Sequence, residues 1–276
     1  RDTIMADVRS SLREIFEAPE AAVYLVGTGT AANALALATL SQPWQTIFCS
    51  PVSHIQEDEC NAPEFFSSGA KLTLIKCDDK ITPDALRAAV VTQGNRGVHG
   101  AQRGPLSLTQ TTEKGTLYSL KELRALTEIT KSYEIPVHMD GARFANALVS
   151  LGCSAADMTW KSGIDALSFG GTKNGLMGVE AVIFFDPKHA WEFELRRKRG
   201  GKQGARGPKV QPGERLLSSL RAQLRKLNAF QTKHTLNGAH PRDLGSRAVL
   251  SRAAPSADDD RGFETPPEED AGFWED

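Results

Sequence analysis

The amino-acid sequence predicts an α/β fold built on a mostly parallel sheet with helices on both faces. From Ala22 to about Arg199, short apolar runs alternate with segments of helical periodicity, which is the order expected of such sheets. Two of these runs end in small-residue turns that carry charged side chains, at the edge where ligands bind in such sheets. The length of 276 residues, with 40% hydrophobic and 24% charged residues, suits a globular protein with a sizeable core in one or two domains.

The individual elements follow from the spacing of the apolar residues. Short apolar runs bounded by turn residues predict strands at Ala22–Val26, Thr46–Cys49, Lys71–Lys76, Pro136–Met139, Ala166–Phe169 and Ala181–Phe185. Longer segments with helical spacing predict helices at Met5–Glu17, Ala31–Leu40, Pro83–Val91, Leu120–Ser132 and Phe144–Ser150.

The composition argues against several classes of protein. The formal net charge of −1 provides no overall field that would favour nucleic acid or a membrane surface. No apolar run is long enough to cross a bilayer and no basic and apolar leader opens the chain, so a cytoplasmic protein is expected. The four cysteines are scattered without a Cys-x-x-Cys pair, which indicates reduced thiols and neither a disulfide framework nor a metal site.

The composition changes near Gly200 and divides the chain into three parts. Residues 1–199 carry the alternating pattern and form the predicted ligand-binding domain, which begins at Arg1 and is expected to be truncated at its N-terminus. Residues 200–239 begin as a Gly-rich basic linker and continue into a basic amphipathic helix, which either packs on the body or binds a membrane or partner. Residues 240–276 are acidic and polar and are expected to be a disordered tail.

Asp140 and Arg143 follow the predicted strand Pro136–Met139 in the sequence Asp-Gly-Ala-Arg. A carboxylate at the carboxyl end of a strand has no obvious structural use there, whereas it can pair with a cationic ring nitrogen. Arg143 lies at the start of the next helix, where its guanidinium can bind a carboxylate through two parallel hydrogen bonds. The alternative is a surface ion pair between the two residues, which would contribute little.

Lys173 lies in the sequence Gly-Gly-Thr-Lys-Asn-Gly, shortly after the predicted strand Ala166–Phe169. Its small neighbours leave room for a bound group near the backbone, and burial would make its amine a usable nucleophile. A lysine and an aspartate at the ends of two strands of one sheet are the anchors that pyridoxal 5′-phosphate (PLP) needs, for its aldehyde and its ring nitrogen. The sequence therefore predicts a PLP site, against the alternative of a solvated turn lysine.

The segment Gly27–Thr30 follows the first predicted strand and opens the next helix. Free backbone N–H groups and hydroxyls at a helix N-terminus form an anion site, so Thr28, Gly29 and Thr30 are predicted to hold the phosphate group of the cofactor. The alternative is that a threonine only caps the helix.

His54 follows the second predicted strand, where its imidazole can lie flat over an aromatic cofactor and near the bond that breaks. The alternative is an ordinary core or surface histidine. Of the acidic residues after it, either Glu57 or Glu59 holds the histidine, or both belong to a solvated acidic turn. The basic run Arg196–Arg199 either places an arginine on the phosphate or is a solvated helix end.

In this order, the motifs resemble those of the threonine aldolase family, within the superfamily of aromatic amino acid β-eliminating lyases and threonine aldolases. The resemblance is to the bacterial-type low-specificity L-threonine aldolases and runs from about Asp2 to about Arg199. The blocks that carry it are Val26–Asn33, Ser53–Ile55 with Asp58–Phe66, His138–Asn146 and Ser168–Gly175.

The resemblance implies a PLP enzyme with the aspartate aminotransferase-like fold (fold type I). Lys173 would form the Schiff base with the cofactor, and Asp140 would pair with the pyridine nitrogen. Thr28, Gly29 and Thr30 would hold the phosphate group.

The resemblance also implies retro-aldol cleavage of a β-hydroxy-α-amino acid, such as L-threonine or L-allo-threonine, to glycine and an aldehyde. Arg143 would bind the substrate carboxylate or the phenolic oxygen of PLP, and His54 would stack on the ring and take part in proton transfer. Homodimers or homotetramers with sites between subunits are expected, with no nucleic-acid or membrane partner.

Three departures from the family pattern keep other functions open. The resemblance implies a segment before Asp2 that helps to build the site, and this segment is expected to be missing here. Many members of the family have a histidine in the loop that matches Ser107–Glu113, where this chain has threonines and a glutamine, so the resemblance does not imply a base from that loop. After Gly201 the chain does not align with the small C-terminal domain of the family, which is expected to be absent or altered. The alternatives are another fold-type-I β-eliminating lyase, or a non-catalytic PLP-binding relative that lacks the C-terminal domain.

Overall fold

The structure is a computed structural model that describes residues 3–175 and 178–200. The predicted linker and basic helix after Gly200, the predicted acidic tail and the expected change in the C-terminal domain lie outside these residues. The described residues form one sheet with a hydrophobic core on each side of it, which confirms the predicted α/β fold.

Helices and strands alternate along the chain as predicted. The α-helices of the described residues are α1 (Thr3–Ile15), α2 (Gly29–Leu40), α3 (His54–Glu57), α4 (Ala62–Phe66), α5 (Pro83–Gly94), α6 (Leu120–Ser132), α7 (Phe144–Leu151), α8 (Ala155–Met158) and α9 (Ala190–Arg199). The strands are β1 (Ala22–Val26), β2 (Gln45–Cys49), β3 (Lys71–Leu74), β4 (Gln102–Thr109), β5 (Val137–Gly141), β6 (Ala166–Phe169) and β7 (Glu180–Phe184). Short 3₁₀ turns lie at Gly97–His99, Trp160–Ser162, Thr172–Asn174 and Pro187–His189. Within the described ranges, no helix is long and apolar enough to cross a membrane.

The strands form one mixed sheet in the order β1-β7-β6-β5-β4-β2-β3. Strands β2 to β6 pair in parallel, whereas β7 is antiparallel to both of its neighbours, β1 and β6. The prediction of a mostly parallel sheet is therefore confirmed. Because β7 reverses the direction between β1 and β6, the carboxyl end of β1 lies at the same edge as the carboxyl ends of β5 and β6.

Strand β4 is absent from the sequence prediction because Gly104 and Pro105 interrupt its apolar run, and this pair of residues is typical of a turn. In the structure both residues lie in a β-bulge, where β4 has one residue more than the neighbouring strand β2. A Cβ atom on Gly104 would lie 2.4 Å from the carbonyl oxygen of Thr46. The bulge thus accommodates a proline in a central strand and requires the glycine beside it.

Helix α2 is buried against the sheet with its N-terminus at the carboxyl edge. All of its residues from Ala32 to Leu40 are buried, and it contacts five of the seven strands. A helix that is apolar on all sides is expected at such a central position. Its one amide side chain, Asn33, is buried close to the functional edge of the sheet.

Candidate functional site

All seven residues predicted to bind the cofactor or substrate line one cavity of about 340 Å³. The cavity lies at the edge of the sheet where β1, β5 and β6 end. The residues come from four segments that are far apart in the sequence: Thr28, Gly29, Thr30, His54, Asp140, Arg143 and Lys173. The fold brings these segments to one edge, as expected for a largely parallel sheet.

Asp140 is buried near the end of β5. Its Oδ1 accepts a hydrogen bond from the Ala142 N–H at 2.9 Å, and its Oδ2 accepts one from Asn33 Nδ2, also at 2.9 Å. Both carboxylate oxygens are therefore held by neutral donors, which fixes the orientation of the group and partly replaces its hydration.

Lys173 lies in the 3₁₀ turn Thr172–Asn174, which follows β6. The backbone of this segment packs on the segment after β5: the Gly170 N–H donates to the Gly141 carbonyl oxygen at 3.0 Å. A Cβ atom on Gly170 would lie 2.3 Å from the Ala142 carbonyl oxygen, so only glycine permits this approach. Lys173 is exposed, because its turn lies at the rim of the cavity. In the single chain the amine is therefore not buried, and its activation by burial stays a prediction.

A second buried carboxylate, that of Glu180, binds the main chain of the segment Gly170–Gly175, the lysine turn. Glu180 is the first residue of β7 and also lines the cavity. Its Oε2 accepts a hydrogen bond from the Gly171 N–H at 2.6 Å, and its Oε1 accepts one from the Thr172 N–H at 3.3 Å. The two residues directly before the lysine are thus fixed by one side chain.

The loop Gly27–Thr30 lines the cavity at the N-terminus of α2. Thr28 Oγ1 accepts a hydrogen bond from the Ala31 N–H at 3.1 Å, so this threonine caps the helix. The first N–H groups of a helix have no partner within it, which leaves donors for an anion in addition to the cap. A Cβ atom on Gly29 would meet no atom within 4 Å, so the space beside the loop is open.

His54 opens the short helix α3 and is half-buried. Its Nδ1 lies 2.9 Å from Oε1 of Glu59, and its backbone N–H donates to Oε1 of Glu113 at 2.9 Å. Glu59 is buried whereas Glu57 is exposed, so Glu59 is the acidic residue that holds the histidine. Oε1 of Glu59 also accepts a hydrogen bond from Asn33 Nδ2, so it acts as an acceptor. Nδ1 of His54 then carries the proton and Nε2 is the acceptor nitrogen.

Asn33 connects two buried carboxylates. Its Nδ2 donates to Oε1 of Glu59 at 2.8 Å and to Oδ2 of Asp140 at 2.9 Å. Burial raises the pKa of Glu59 to about 7, although hydrogen bonds from Asn33 and His54 oppose the shift. Within the described ranges, Glu59 Oε2 and Asn33 Oδ1 are buried without a hydrogen-bond partner. These atoms leave hydrogen-bonding capacity at the cavity for a bound group or water.

Glu113 is a fourth acidic side chain at the cavity. It accepts a hydrogen bond from Thr109 Oγ1 at 2.9 Å, in addition to the one from the His54 backbone. Burial raises the pKa of Glu113. The loop that lacks a histidine therefore contributes a carboxyl group to the cavity.

His138 lies behind the cavity, two residues before Asp140 on β5, and is fully buried. Its Nδ1 lies 3.0 Å from Oγ of Ser107, and its Nε2 lies 2.9 Å from Oγ of Ser168. Burial lowers the pKa of His138 to about 4, and the charge of Asp140 opposes the shift. The imidazole is therefore neutral near pH 7, and one serine donates to it while the other accepts.

Arg143 is half-buried at the start of α7 and lines the main cavity. Arg197, from the basic end of α9, forms an ion pair with Glu194 at 2.8 Å. Arg197 also lines a neighbouring cavity of about 190 Å³, which Thr28 and Thr30 line as well. Among the described residues of the basic run, Arg197 is the one that lines a cavity together with the predicted phosphate loop, and it is engaged by its own glutamate.

Seven polar residues of the main cavity are not among the predicted site residues: Asn33, Glu59, Thr109, Glu113, Ser168, Thr172 and Glu180. Asn33 has a recognisable signal, since an amide in an otherwise apolar helix needs a buried partner. Glu59 is only one of two equivalent candidates in the sequence. Glu113 and Glu180 have no local signal, because only the tertiary fold brings their carboxylates to the cavity.

The family described as Beta-eliminating lyase matches residues 1–243 of this chain. A low specificity L-threonine aldolase of Pseudomonas aeruginosa is 44% identical over 191 residues, which cover 69% of this chain and 54% of the relative. A low specificity L-threonine aldolase of a further Pseudomonas strain is 41% identical over 202 residues, which cover 73% of this chain and 58% of the relative. The chain thus spans little more than half the length of these curated relatives.

Solved structures share the fold. A threonine aldolase of Leishmania major gives a TM-score of 0.68 at 27% identity and covers 73% of this chain and 58% of its own. A serine palmitoyltransferase of S. paucimobilis with a bound PLP–myriocin aldimine gives a TM-score of 0.56 at 16% identity, over 81% of this chain and 51% of its own. The predicted fold type I is therefore confirmed for the part of the chain that is described.

Proposed function

Because the chain belongs to the beta-eliminating lyase family, we propose that it is a PLP-dependent lyase that cleaves β-hydroxy-α-amino acids by retro-aldol chemistry. The substrates are L-threonine or L-allo-threonine, and the products are glycine and an aldehyde. The names of two relatives that are more than 40% identical support this reaction.

One observation carries the proposal: Asp140, Lys173 and the loop Gly27–Thr30 line the same cavity. PLP needs a carboxylate for its ring nitrogen, an amine for its aldehyde and a cluster of N–H donors for its phosphate group. The residues present fit these needs. The carboxylate is buried and fixed by two hydrogen bonds, the loop is open, and the amine stands at the rim.

In this proposal each anchor holds one part of the cofactor. Asp140 would hold the pyridine nitrogen, Lys173 would hold the aldehyde group, and Thr28, Gly29 and Thr30 would hold the phosphate group. When bound, PLP supplies an electron sink for the electron pair released by carbon–carbon cleavage. Because both oxygens of Asp140 are already held in place, its charge stabilises the protonated ring without rearrangement during the reaction.

Arg143 and His54 face the substrate in this proposal. The guanidinium of Arg143 binds the substrate carboxylate with two hydrogen bonds, and the phenolic oxygen of the cofactor is its alternative acceptor. His54 Nε2, or a water molecule held by it, takes the proton of the β-hydroxyl group. Glu59 at Nδ1 supports this role, because it keeps the proton on Nδ1 and leaves Nε2 able to accept.

We also propose a cytoplasmic homodimer or homotetramer that acts on a small amino acid. The support is that Lys173, Thr28 and Gly29 are exposed in the single chain. Carbon–carbon cleavage at a cofactor requires water to be excluded from the reacting groups. A second subunit over the mouth of the cavity would provide this exclusion.

The proposed reaction is tested by the absorption spectrum of the purified protein with PLP, before and after addition of L-threonine. We expect a band of the lysine-bound cofactor that changes with threonine while glycine and acetaldehyde appear. Pyruvate and ammonia from an aromatic amino acid would instead indicate the β-elimination that the family description favours. A stable band without any product would indicate a PLP-binding relative without catalysis.

Lys173→Ala is expected to abolish both the cofactor band and threonine cleavage, because Lys173 is the one lysine among the described residues that line the cavity. Lys161→Ala is the control, since Lys161 is exposed and pairs with Glu17 at 2.6 Å away from the cavity lining. A Lys173→Ala protein that still bound PLP covalently and cleaved threonine would contradict the assignment.

A further inference from the structure

Glu180 is the buried carboxylate of the cavity that binds the main chain next to Lys173. It is 8% exposed, and its side chain binds main-chain N–H groups of the lysine turn. That turn is rich in glycine, with Gly170 and Gly171 before the lysine and Gly175 after it. A glycine-rich backbone has many accessible conformations, so it keeps one geometry only if other groups hold it.

The backbone of Glu180 is fixed from the opposite side. Glu180 pairs with Val26, the last residue of β1, and the predicted phosphate loop begins at the next residue. Gly178, two residues before Glu180, also lies close to the phosphate loop, since a Cβ atom on Gly178 would lie 4.0 Å from the Gly27 carbonyl oxygen. One residue therefore contacts the lysine turn through its side chain and the strand that carries the phosphate loop through its main chain.

From this arrangement we infer that Glu180 is a positioning residue that sets the separation between the Lys173 amine and the phosphate loop Gly27–Thr30. The inference rests on the proposed function, in which PLP bridges these two anchors. A ligand that binds at two points gains affinity only if the spacing of the anchors matches its length. Without Glu180, the turn keeps its sequence but loses the contact that fixes this spacing.

A carboxylate is suited to this task because it accepts two N–H groups at once. Its negative charge also strengthens both hydrogen bonds relative to a neutral acceptor. Glutamine retains one acceptor oxygen but turns an NH₂ donor toward a backbone donor, and alanine leaves both N–H groups without this partner. Glu180→Ala is therefore predicted to weaken PLP binding more than Glu180→Gln does.

The experiment compares two ligands that differ in their use of the lysine. PLP engages Lys173 covalently, whereas pyridoxamine 5′-phosphate has the same ring and phosphate group but no aldehyde. Apparent dissociation constants for both are measured by absorption and calorimetry on the wild-type protein, Glu180→Gln and Glu180→Ala. Borohydride trapping then gives the rate at which Lys173 captures the aldehyde.

Asp165→Asn is the matched control. Asp165 is also a carboxylate that accepts a backbone hydrogen bond, from the Val137 N–H at 2.7 Å, but it precedes β6 at the opposite edge of the sheet. Its replacement tests whether the loss of any such contact weakens cofactor binding through general destabilisation.

We expect the affinity of Glu180→Ala for PLP to fall by at least about tenfold, with slower trapping, while its affinity for pyridoxamine 5′-phosphate changes by less than about twofold. Glu180→Gln is expected to lie between the wild type and alanine, and Asp165→Asn to bind both ligands as the wild type does. Equal losses for both ligands, or unchanged binding of PLP by Glu180→Ala, would overturn the inference.

The inference and the proposed function fail in different ways. If the wild-type protein binds PLP through Lys173 and the ligand-selective loss appears, but no glycine forms from threonine, the inference stands and the proposed reaction is wrong. If glycine forms and Glu180→Ala binds PLP as well as the wild type does, the reaction stands and the positioning role is wrong.

Discussion

At the scale of single residues, the cavity combines carboxylates that are each held by a different set of donors. Asp140 is held by two neutral N–H groups, Glu180 by the lysine turn, and Glu59 by an imidazole and an amide. These surroundings give the same functional group different tasks. In the proposed function, Asp140 supports the ring nitrogen, Glu180 supports the lysine turn, and Glu59 orients His54.

Arg143→Lys is predicted to raise the KM for L-threonine by about tenfold or more, because lysine cannot form the two parallel hydrogen bonds that a guanidinium gives a carboxylate. Steady-state kinetics measure this effect, and the cofactor spectrum serves as the control. An unchanged KM combined with a shifted cofactor band would instead assign Arg143 to the phenolic oxygen of PLP.

At the scale of elements, the two segments that carry Asp140 and Lys173 form a single packed unit. The backbone after β6 contacts the backbone after β5 at a point where a side chain has no room. This contact explains why the lysine motif begins with glycines, which the sequence alone suggests only as room for a ligand. The spacing of the two anchors therefore depends on main-chain packing as well as on side chains.

Gly170→Ala is predicted to reduce the free energy of unfolding by roughly 1–3 kcal/mol, because the added methyl group would overlap the Ala142 carbonyl group. Gly29→Ala is the stability control, since its Cβ atom would meet no atom within 4 Å and alanine favours the helix. Urea unfolding of both variants measures the difference. Equal free energies of unfolding for the two variants would show that the segments after β5 and β6 can move apart without a loss of stability.

At the scale of the whole molecule, two buried groups give the stability opposite dependences on pH. The pKa of Glu59 is raised from 4.5 to about 7, so the folded protein binds more protons than the unfolded chain between these values. Its contribution is therefore present at low pH and is lost as the pH rises through this range. The pKa of His138 is lowered from 6.5 to about 4, so its contribution is present above pH 6.5 and is lost as the pH falls.

Glu59→Gln is predicted to remove the first of these dependences, because glutamine keeps the acceptor oxygen but does not titrate. Between pH 5 and pH 8, the free energy of unfolding of the wild type should fall relative to that of the variant by up to roughly 3 kcal/mol. Urea unfolding at both pH values measures this change. The exposed Glu57→Gln variant should behave as the wild type does. A parallel response of Glu59→Gln and the wild type would mean that Glu59 does not titrate in this range.

The predicted elements show what periodicity can reveal. The strands Ala22–Val26 and Ala166–Phe169 and the helix Leu120–Ser132 have the predicted bounds, because apolar spacing directly reflects which face is buried. Strand β4 escapes the prediction because its glycine and proline have the composition of a turn, and only the pairing with β2 makes them a bulge. Helix α9 escapes it because its charged residues leave a single buried side chain, Phe193.

The sequence by itself determined the fold class and the set of segments that meet at one edge of the sheet. It could do so because strand and helix periods are local properties, and because a largely parallel sheet aligns the carboxyl ends of its strands. Only the tertiary structure decided which acidic residues join the cavity and how they are held. Glu59, Glu113 and Glu180 reach it through contacts between distant segments, and neither composition nor spacing encodes such contacts. The exposure of Lys173 is likewise decided by the tertiary structure, because it depends on which segments pack against the turn that carries it.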